Sequence, residues 1–390
     1  MRSTNIHGDH SSARFHATGS CTITDRAPQQ LPRVSANFSD FIFEKKATLN
    51  SDDHAKSMFG WNQFCDQLTP GSFSGNVVEM WFKGIQIFRA TANRSVCQSG
   101  LFWKGYRVIG IPVEMSGSAL LSKQKIGLNN IFTFHSEQGF SLTTPEEFDG
   151  IAVVIPEAAL EHLMVSDGMH GVHRLIPNTL NVLQPCPDKL SELRNCLTSV
   201  LDPSNFQPEL LRYPQVQHSM HASIIGHVME TLRSAHSPPT SSPSFKTHSY
   251  LVNEAISITL TNASEPPTIE ALCCQLKVSQ RMLHYSFIET VGLAPLQYLR
   301  SRRLNGVRRE ICTAAHSQCN TSGCPIAIAD IAEQWGFTHL SRFASDYRSL
   351  FGELPSATLK NSLSIKRRIK TTDSILKYNK VMRQVSLPHN

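Results

Sequence analysis

The pattern of hydrophobic and polar positions changes along the chain and divides its first two hundred or so residues into two regions. Between about residues 38 and 162, short runs rich in Val, Ile and aromatic residues alternate with Gly, Pro and Asn, as in VVEMWFKGIQIFRATAN, YRVIGIPVEM and GIAVVIP. Such runs predict strands of a mostly β domain. Later segments, PEAALEHLMV, DKLSELRNCLTSVL and HSMHASIIGHVMETLR, carry apolar residues at helical spacing. The sequence therefore predicts a β-rich domain whose second half is helical.

The last of these helical segments has a continuous apolar stripe. Two interpretations are open for it, a buried core face or a dimer interface, and the core is the commoner use of such a stripe. Its members are Ile224, Ile225, Val228, Met229 and Leu232.

Polar segments give the predicted boundaries. SAHSPPTSSPSFK is dominated by Ser and Pro, so it predicts a linker over residues 234–247 after a domain spanning 36–233. The first 35 residues are polar and lack the apolar stretch of a secretory signal, which predicts a disordered leader on a cytoplasmic protein. Residues 364–390 are predicted to be a basic tail. No run approaches the roughly eighteen apolar residues of a membrane helix.

The C-terminal region contains two helical patterns separated by a glycine. Ile328, Ile331, Ala332 and Trp335 share one helix face, and Gly336 suits the left-handed conformation that ends a helix. A second helix is predicted to begin at once, with Thr338 as its N-cap and Leu340, Phe343, Tyr347 and Phe351 on its apolar face. Two short helices around a tight turn predict a helix-turn-helix, although this spacing also fits other helical hairpins.

A second copy of the pattern strengthens that prediction. Ile269 and Leu272 match Ile328 and Ile331, while VGLAP and FGELP end the two copies in the same way. Between them, PLQYLRSRRLNGVRREIC predicts an amphipathic helix of roughly 18 residues, about 27 Å long. The two units can then lie about one DNA turn apart, roughly 34 Å. The predicted fold is α+β, with an all-α domain over 248–363 in which a long helix joins two helix-turn-helix units.

The charge of the chain is localised in the same region. The net charge is +6, and residues 245–370 hold 15 Lys or Arg against 9 Asp or Glu, which leaves 22 of each sign elsewhere. A basic domain joined to a neutral one favours a polyanionic partner for one half only.

From about Tyr250 to Leu363 the chain resembles the DNA-binding domain of AraC/XylS-family transcriptional regulators. The resemblance is carried by IEALCCQLKVSQRMLHYSFIETVGLAPLQYLRSRRL and IADIAEQWGFTHLSRFASDYRSLFGELP. It implies a bacterial, nucleoid-associated activator that works with RNA polymerase. WNQFCDQLTPGSFSGNVVEMWFKGIQIFRATANRSVCQSG is similar to ethanolamine-utilisation regulators of that family. Lys277 stands where the first turn commonly has Gly, and Ser345 where an Arg is expected, so no operator can be carried over.

The DNA-facing residues are predicted by removing those that face the core. Arg281 is the best candidate for two-bonded guanine contact, and Gln280 could pair with adenine. Arginines of the connecting helix are predicted to touch phosphate or acidic groups, or to form a solvated face. The predicted base-reading residues are Ser279, Gln280, Arg281, His284 and Tyr285 in the first unit and Thr338, His339, Ser341, Arg342 and Ser345 in the second; the predicted positioning residues are Arg300, Arg302 and Arg303, with Arg308 and Arg309 on the same helix.

Other chemistries have weaker support. Cys312, Cys319 and Cys324 with His316 match no familiar tetrahedral zinc spacing, so reduced thiols and no metal or cofactor are predicted. The histidine groups lack the carboxylates of a metal enzyme, and neither a Gly-x-Ser-x-Gly elbow nor a phosphate loop occurs. A metal-dependent enzyme is therefore the least supported hypothesis; the histidines in question are His162, His170, His173, His218, His221 and His227.

Together these patterns predict a transcriptional regulator rather than an enzyme. Its N-terminal domain would sense a small-molecule effector and form a homodimer, and its C-terminal domain would bind double-stranded promoter DNA. The alternative is a DNA-binding regulator whose N-terminal domain only oligomerises and binds no ligand.

Overall fold

The computed structural model describes residues 41–122, 124–136, 139–166, 181–202, 207–236, 243–318 and 327–369. The predicted leader lies outside these ranges, as do the predicted tail from residue 370 onward and Cys319 and Cys324. An N-terminal domain of strands with helices is followed by an all-helical C-terminal domain, so the predicted α+β class is confirmed.

Among the residues that the structure describes, the strands of the N-terminal domain form two antiparallel sheets. Seven make the first, in the order β1-β3-β4-β11-β6-β9-β12, and five make the second, in the order β2-β5-β10-β7-β8. Their ranges are β1 (Ile42–Thr48), β2 (Asn62–Gln67), β3 (Gly75–Phe82), β4 (Ile85–Ala92), β5 (Val96–Leu101), β6 (Tyr106–Glu114), β7 (Ala119–Leu121), β8 (Gln124–Ile126), β9 (Ile131–His135), β10 (Phe140–Thr144), β11 (Phe148–Pro156) and β12 (Asn181–Leu183).

The inner strands β3, β4 and β11 of the first sheet are largely buried on both faces, which explains their continuous apolar runs. Along β11, Ile151, Val153 and Ile155 belong to a core shared with the helices, whereas Ala152 and Val154 belong to an aromatic-rich core with the second sheet. This division follows from the two-residue period of a strand. The helices of the domain are α1 (Ser51–Lys56), α2 (Glu157–Ser166), α3 (Pro187–Leu201) and α4 (Pro214–Ser234), with a 3₁₀ helix at Pro208–Arg212.

The apolar stripe of α4 is part of the core. Ile224, Ile225, Val228, Met229 and Leu232 are all buried in the cluster that α4 shares with α3 and the first sheet. Of the two interpretations of this stripe, the structure therefore favours the core over a dimer interface.

The described part of the C-terminal domain contains seven helices: α5 (Pro243–Thr261), α6 (Ile269–Leu276), α7 (Gln280–Val291), α8 (Pro295–Gln318), α9 (Ile328–Gln334), α10 (Leu340–Phe351) and α11 (Pro355–Ile369). The pairs α6–α7 and α9–α10 are the two predicted units, and α8 joins them. At 24 residues α8 is about 36 Å long, more than the predicted 18 residues. α5 begins inside the segment predicted as linker. Within the described ranges, no helix has the length and apolar character that crossing a bilayer requires.

The turns of the two units follow the sequence pattern, while two details of the second helix differ. Gly336 and Lys277 both have positive φ, +72° and +56°, as their positions after α9 and α6 predict. The N-cap of α10 is His339 and not Thr338, and its side chain forms no capping hydrogen bond within the described structure. Leu340 is 50% exposed, so the buried face of α10 begins at Phe343.

Candidate nucleic-acid interface

Both helices of the first unit, α6 and α7, begin with a capping hydrogen bond to a side chain. Thr268 Oγ1 accepts a hydrogen bond from the N–H of Ala271 at 3.2 Å, and Ser279 Oγ accepts from the N–H of Met282 at 3.2 Å. Each bond satisfies an N–H that the start of a helix leaves without a partner. Ser279, a predicted base-reading residue, therefore caps α7.

The predicted outward residues of α7 are exposed, because Leu283 and Phe287 occupy the core of the unit. Two of them have partners within the protein. Gln280 Nε2 donates to Glu270 Oε1 at 3.1 Å, and the Tyr285 ring makes an edge contact with His248 at 5.1 Å between centroids. Base contact by Gln280 would thus compete with its bond to Glu270. The predicted residues exposed on this helix are its N-cap Ser279, Gln280, Arg281, His284 and Tyr285. Met282, Ile288 and Glu289 are exposed as well and were not predicted from the sequence.

The second unit has the same design with a more aromatic core. Phe337, Phe343 and Tyr347 are buried and in ring contact, with centroids of successive rings 5.2 and 5.7 Å apart. The helix therefore turns its polar side outward. The five predicted residues Thr338, His339, Ser341, Arg342 and Ser345 are all exposed.

The three predicted positioning arginines of α8 contact protein groups. Arg300 Nη2 lies 2.6 Å from Asp346 Oδ2, and Arg302 Nη1 lies 2.9 Å from Asp66 Oδ2. Arg303 donates to the main-chain carbonyl of Trp335 at 2.6 and 2.9 Å. Arg300 and Arg302 therefore pair with acidic groups, which was one of the two predicted kinds of partner. Phosphate contact by the three arginines stays a prediction.

Arg303 has a structural role in the second unit. Its guanidinium lies 4.4 Å from the centroid of Phe337, a cation–π contact. Burial, together with the nearby charge of Arg300, lowers the pKa of Arg303 to about 10. The side chain thus ties α8 to the turn between α9 and α10, which sequence spacing alone could not indicate.

Arg308, further along α8, connects the two domains. Its Nε donates to Asp52 Oδ2 at 2.9 Å, and its Nη1 donates to Glu353 Oε1 at 2.7 Å. Burial raises the pKa of Asp52, an effect that the charge of Arg308 partly offsets. The N-terminal domain therefore rests on the same helix that carries both units.

Most of the cysteines considered above as possible zinc ligands lie outside the described residues. Cys312 is half-buried and its Sγ accepts from Ser362 Oγ at 3.4 Å, while Cys319, Cys324 and the side chain of His316 are not described. Among the side chains that the structure describes, no group of three or more His, Cys, Asp or Glu could hold a metal ion.

Comparison with known proteins agrees with this geometry. Residues 272–361 match the family described as "Helix-turn-helix domain". A XylDLEGF operon transcriptional activator of Pseudomonas putida is 28% identical over 226 residues, which is 56% of this chain and 63% of that protein. The XylDLEGF operon transcriptional activator 2 of the same organism is 38% identical over 98 residues, 25% of this chain and 58% of that protein. The chain thus spans a little under two thirds of these relatives.

Solved structures of similar proteins include an AraC-like transcriptional activator, CuxR, at 14% identity and a TM-score of 0.34, covering 67% of this chain and 94% of that one. A regulator with an AraC-type DNA-binding domain from Chromobacterium violaceum is 25% identical with a TM-score of 0.25, covering 29% and 92%.

Two repeated units joined by one long helix, each with an exposed face on its second helix, define a double helix-turn-helix domain. That domain belongs to the AraC/XylS type, as the matched family and relatives show. The resemblance of the N-terminal domain to ethanolamine-utilisation regulators stays a prediction.

Proposed function

We propose that the chain is a transcriptional regulator that activates its target genes by binding promoter DNA through α7 and α10. The observation that carries this proposal is that the first turn of each recognition helix presents one exposed arginine, Arg281 in α7 and Arg342 in α10, although the two positions differ by one residue in register. In helix-turn-helix proteins the first turn of the second helix contacts base edges in the major groove.

The expected chemistry at each unit is a direct readout of base edges. An arginine that donates two hydrogen bonds to guanine O6 and N7 contributes about 1–3 kcal/mol of discrimination against other bases. His284, Ser341 and Ser345 are placed to add further contacts from the same exposed faces. The two relatives from Pseudomonas putida are activators by name, which supports RNA polymerase as a partner and action on the nucleoid in the cytoplasm. A homodimer is part of the proposal.

The N-terminal domain is proposed to bind the effector between its two sheets. A cavity of about 50 Å³ lies there, lined mainly by aromatic and aliphatic side chains. Four of the lining side chains are polar, namely His54, Thr91, Gln98 and Thr144. His54 is buried, and burial lowers its pKa to about 4, so the ring is neutral at pH 7. Thr144 Oγ1 is buried without a hydrogen-bond partner among the described residues. Aromatic members of the lining are Trp61, Phe88, Phe132, Phe134, Phe140 and Phe148.

This lining supports a compact, largely apolar effector with one polar group. A site that holds one water needs about 10–15 Å³ of such space, so an effector of more than a few atoms must move the rings apart. The unsatisfied hydroxyl of Thr144 favours a ligand over the alternative of a domain that only oligomerises, because an orphaned buried hydroxyl costs free energy. A thermal-shift screen of small uncharged aromatic compounds separates the two hypotheses.

The proposed DNA-binding role is tested by selecting binding sites from random DNA with the full chain and with Arg281→Ala and Arg342→Ala. Each variant should lose preference at one base position, and the two positions should lie about one helical turn apart. Arg348→Ala, an exposed arginine near the other end of α10, is the matched control and should keep the preference of the wild type. Failure of the wild type to enrich any sequence, or loss of preference at the same base pair in both variants, would contradict the proposal.

A further inference from the structure

A short segment at the end of β2 joins the N-terminal domain to both helix-turn-helix units. It begins with Asp66, whose side chain is 3% exposed. The carboxylate lies between Arg302 and Arg309, with Oδ2 2.9 Å from Arg302 Nη1 and Oδ1 paired with Arg309 Nη1. The two arginines are seven residues apart, about two turns along α8. One buried carboxylate therefore fixes the position of the strand along the helix.

The next residue, Gln67, makes main-chain contacts with α8. Its N–H donates to Asn305 Oδ1 at 2.9 Å, and its carbonyl accepts from Asn305 Nδ2 at 2.8 Å. The amide of Asn305 thus pairs with the strand edge as another peptide group would. Gln67 and Asn305 are both buried. Such two-bonded pairing fixes orientation as well as distance.

The same segment caps the second recognition helix. Gln67 Nε2 donates to the carbonyl of Leu350 at 2.6 Å, and the N–H of Gly71 donates to the carbonyls of Ser349 and Leu350 at 3.0 and 3.2 Å. The last carbonyls of a helix have no partner within the helix, so the carbonyls of Ser349 and Leu350 receive their hydrogen bonds from the other domain, while that of Arg348 accepts from the N–H of Gly352.

The first unit is contacted by Leu68. This side chain is fully buried and belongs to the hydrophobic cluster that forms the core of the first unit, together with Leu272, Phe287 and Tyr298. Three consecutive residues of β2 and its end thus contact α8, the second unit and the first unit.

The contact between this segment and the C-terminal domain leaves the predicted base-reading residues exposed to solvent. Arg281 and Arg342 are exposed in the docked arrangement, as are the other eight predicted base-reading residues, among them His284, Ser341 and Ser345. A segment that blocked DNA binding would be expected to cover at least one of these faces. The docked arrangement is therefore compatible with both recognition helices engaging DNA.

We propose that Asp66, Gln67, Leu68 and Gly71, here called the clamp, are positioning residues for DNA binding. They hold the two units at a fixed separation and angle while touching no DNA themselves. This inference rests on the proposed function. Two linked binding elements gain affinity when their geometry matches two half-sites, and they lose that gain when the geometry is not held.

The test compares full-length Asp66→Asn and Gln67→Ala with the wild type. The matched control is Asp149→Asn, since the carboxylate of Asp149 pairs with Arg89 inside the N-terminal domain, with Arg89 Nε 2.9 Å from Oδ1. Three DNA probes are used: the site selected by the wild type, the same site with one or two base pairs inserted between its half-sites, and a site with one half-site scrambled. Each inserted base pair displaces a half-site by about 3.4 Å and rotates it by about 34°.

The wild type and Asp149→Asn should bind the inserted sites at least about tenfold more weakly than the selected site. Asp66→Asn should bind the selected site about tenfold more weakly than the wild type and lose less than about threefold on insertion. Its affinity for the scrambled site should be unchanged. Gln67→Ala should change in the same direction by a smaller factor.

An insertion penalty in Gln67→Ala and Asp66→Asn equal to that of the wild type would overturn the inference. Tighter binding of the selected site by either variant would also overturn it, because the clamp would then oppose DNA binding. Circular dichroism melting shows whether a variant is folded, and if Asp66→Asn is not, the result with Gln67→Ala decides. If the wild type selects no DNA site, the proposed DNA-binding function itself is contradicted. This outcome differs from those above, in which the wild type binds a selected site and only the role of the clamp is rejected.

Discussion

Acid should destabilise the N-terminal domain through one buried histidine. His54 lies in α1 and is 1% exposed, with its Nδ1 3.0 Å from Thr48 Oγ1 and its ring in edge contact with Phe73. Burial lowers its pKa from 6.5 to about 4, because a charged ring would lose its hydration there. The folded chain therefore holds His54 neutral over a pH range in which the unfolded chain protonates it.

The size of the effect follows from the difference between the two pKa values. Each pKa unit corresponds to about 1.4 kcal/mol, so a shift from 6.5 to about 4 is worth at most about 3 kcal/mol. The unfolded state takes up the proton as the pH falls through 6.5, and the folded state does so only near 4. The stability contributed by the neutral ring is thus fully present above pH 6.5 and is lost progressively between 6.5 and about 4.

The measurement is the free energy of unfolding in urea between about pH 7 and about pH 4.5, for the wild type and His54→Asn. Tryptophan fluorescence reports on the N-terminal domain, since Trp61, Trp81 and Trp103 are three of the four tryptophans. Burial raises the pKa of Asp52 and Glu79, which favours the folded state as the pH falls. That contribution is common to both proteins and cancels in their difference.

The wild type should lose up to about 3 kcal/mol more than His54→Asn over this range. His162→Asn, at an exposed position of α2, is the control and should follow the wild type. Equal losses in the wild type and His54→Asn would refute the reasoning, since they would mean that the ring is not held neutral by burial.

Three further predictions concern stability. Gly306→Ala should destabilise the second unit by about 1–3 kcal/mol in urea unfolding, because an added Cβ would lie 2.2 Å from the Trp335 ring. The control is Gly226→Ala, which should be neutral or stabilising because its Cβ would meet no atom within 4 Å. Ile225→Glu should unfold the N-terminal domain, at a cost of several kcal/mol, and a folded monomer on size-exclusion chromatography would contradict its place in the core. Lys277→Gly should raise the melting temperature slightly, since left-handed backbone costs a non-glycine residue about 1–2 kcal/mol, and a lower melting temperature would contradict this.

The helix-turn-helix units could be predicted from the sequence because their cores are local. Ile331, Ala332, Phe343 and Tyr347 are brought together by two short helices and one turn, so helical spacing alone indicates which side chains are buried. The exposed residues of each recognition helix follow by subtraction. Which of them contact bases stays a prediction, because exposure is a property of the helix and base contact depends on DNA.

The partners of α8 could not be predicted from the sequence. Asp66 pairs with Arg309 across 243 residues of chain, and Gln67 pairs with Asn305 across 238. Periodicity shows that an arginine lies on a polar face, but it does not show what faces it. For the same reason the strand order, with β11 between β4 and β6, was not apparent from alternating hydrophobic runs.

The way in which the domains are joined affects how such a protein can evolve. Where the N-terminal domain contacts the end of α10, its hydrogen bonds go to the backbone carbonyls of Ser349 and Leu350. A residue of any type at these two positions would provide the same carbonyl. Gly352 is different, since it has a φ of +73° and an added Cβ would lie 2.3 Å from Ser72 Oγ. Side chains on the outer face of α10 can therefore change, and with them the proposed base preference, while Gly352 and two backbone carbonyls preserve this side of the contact between the domains.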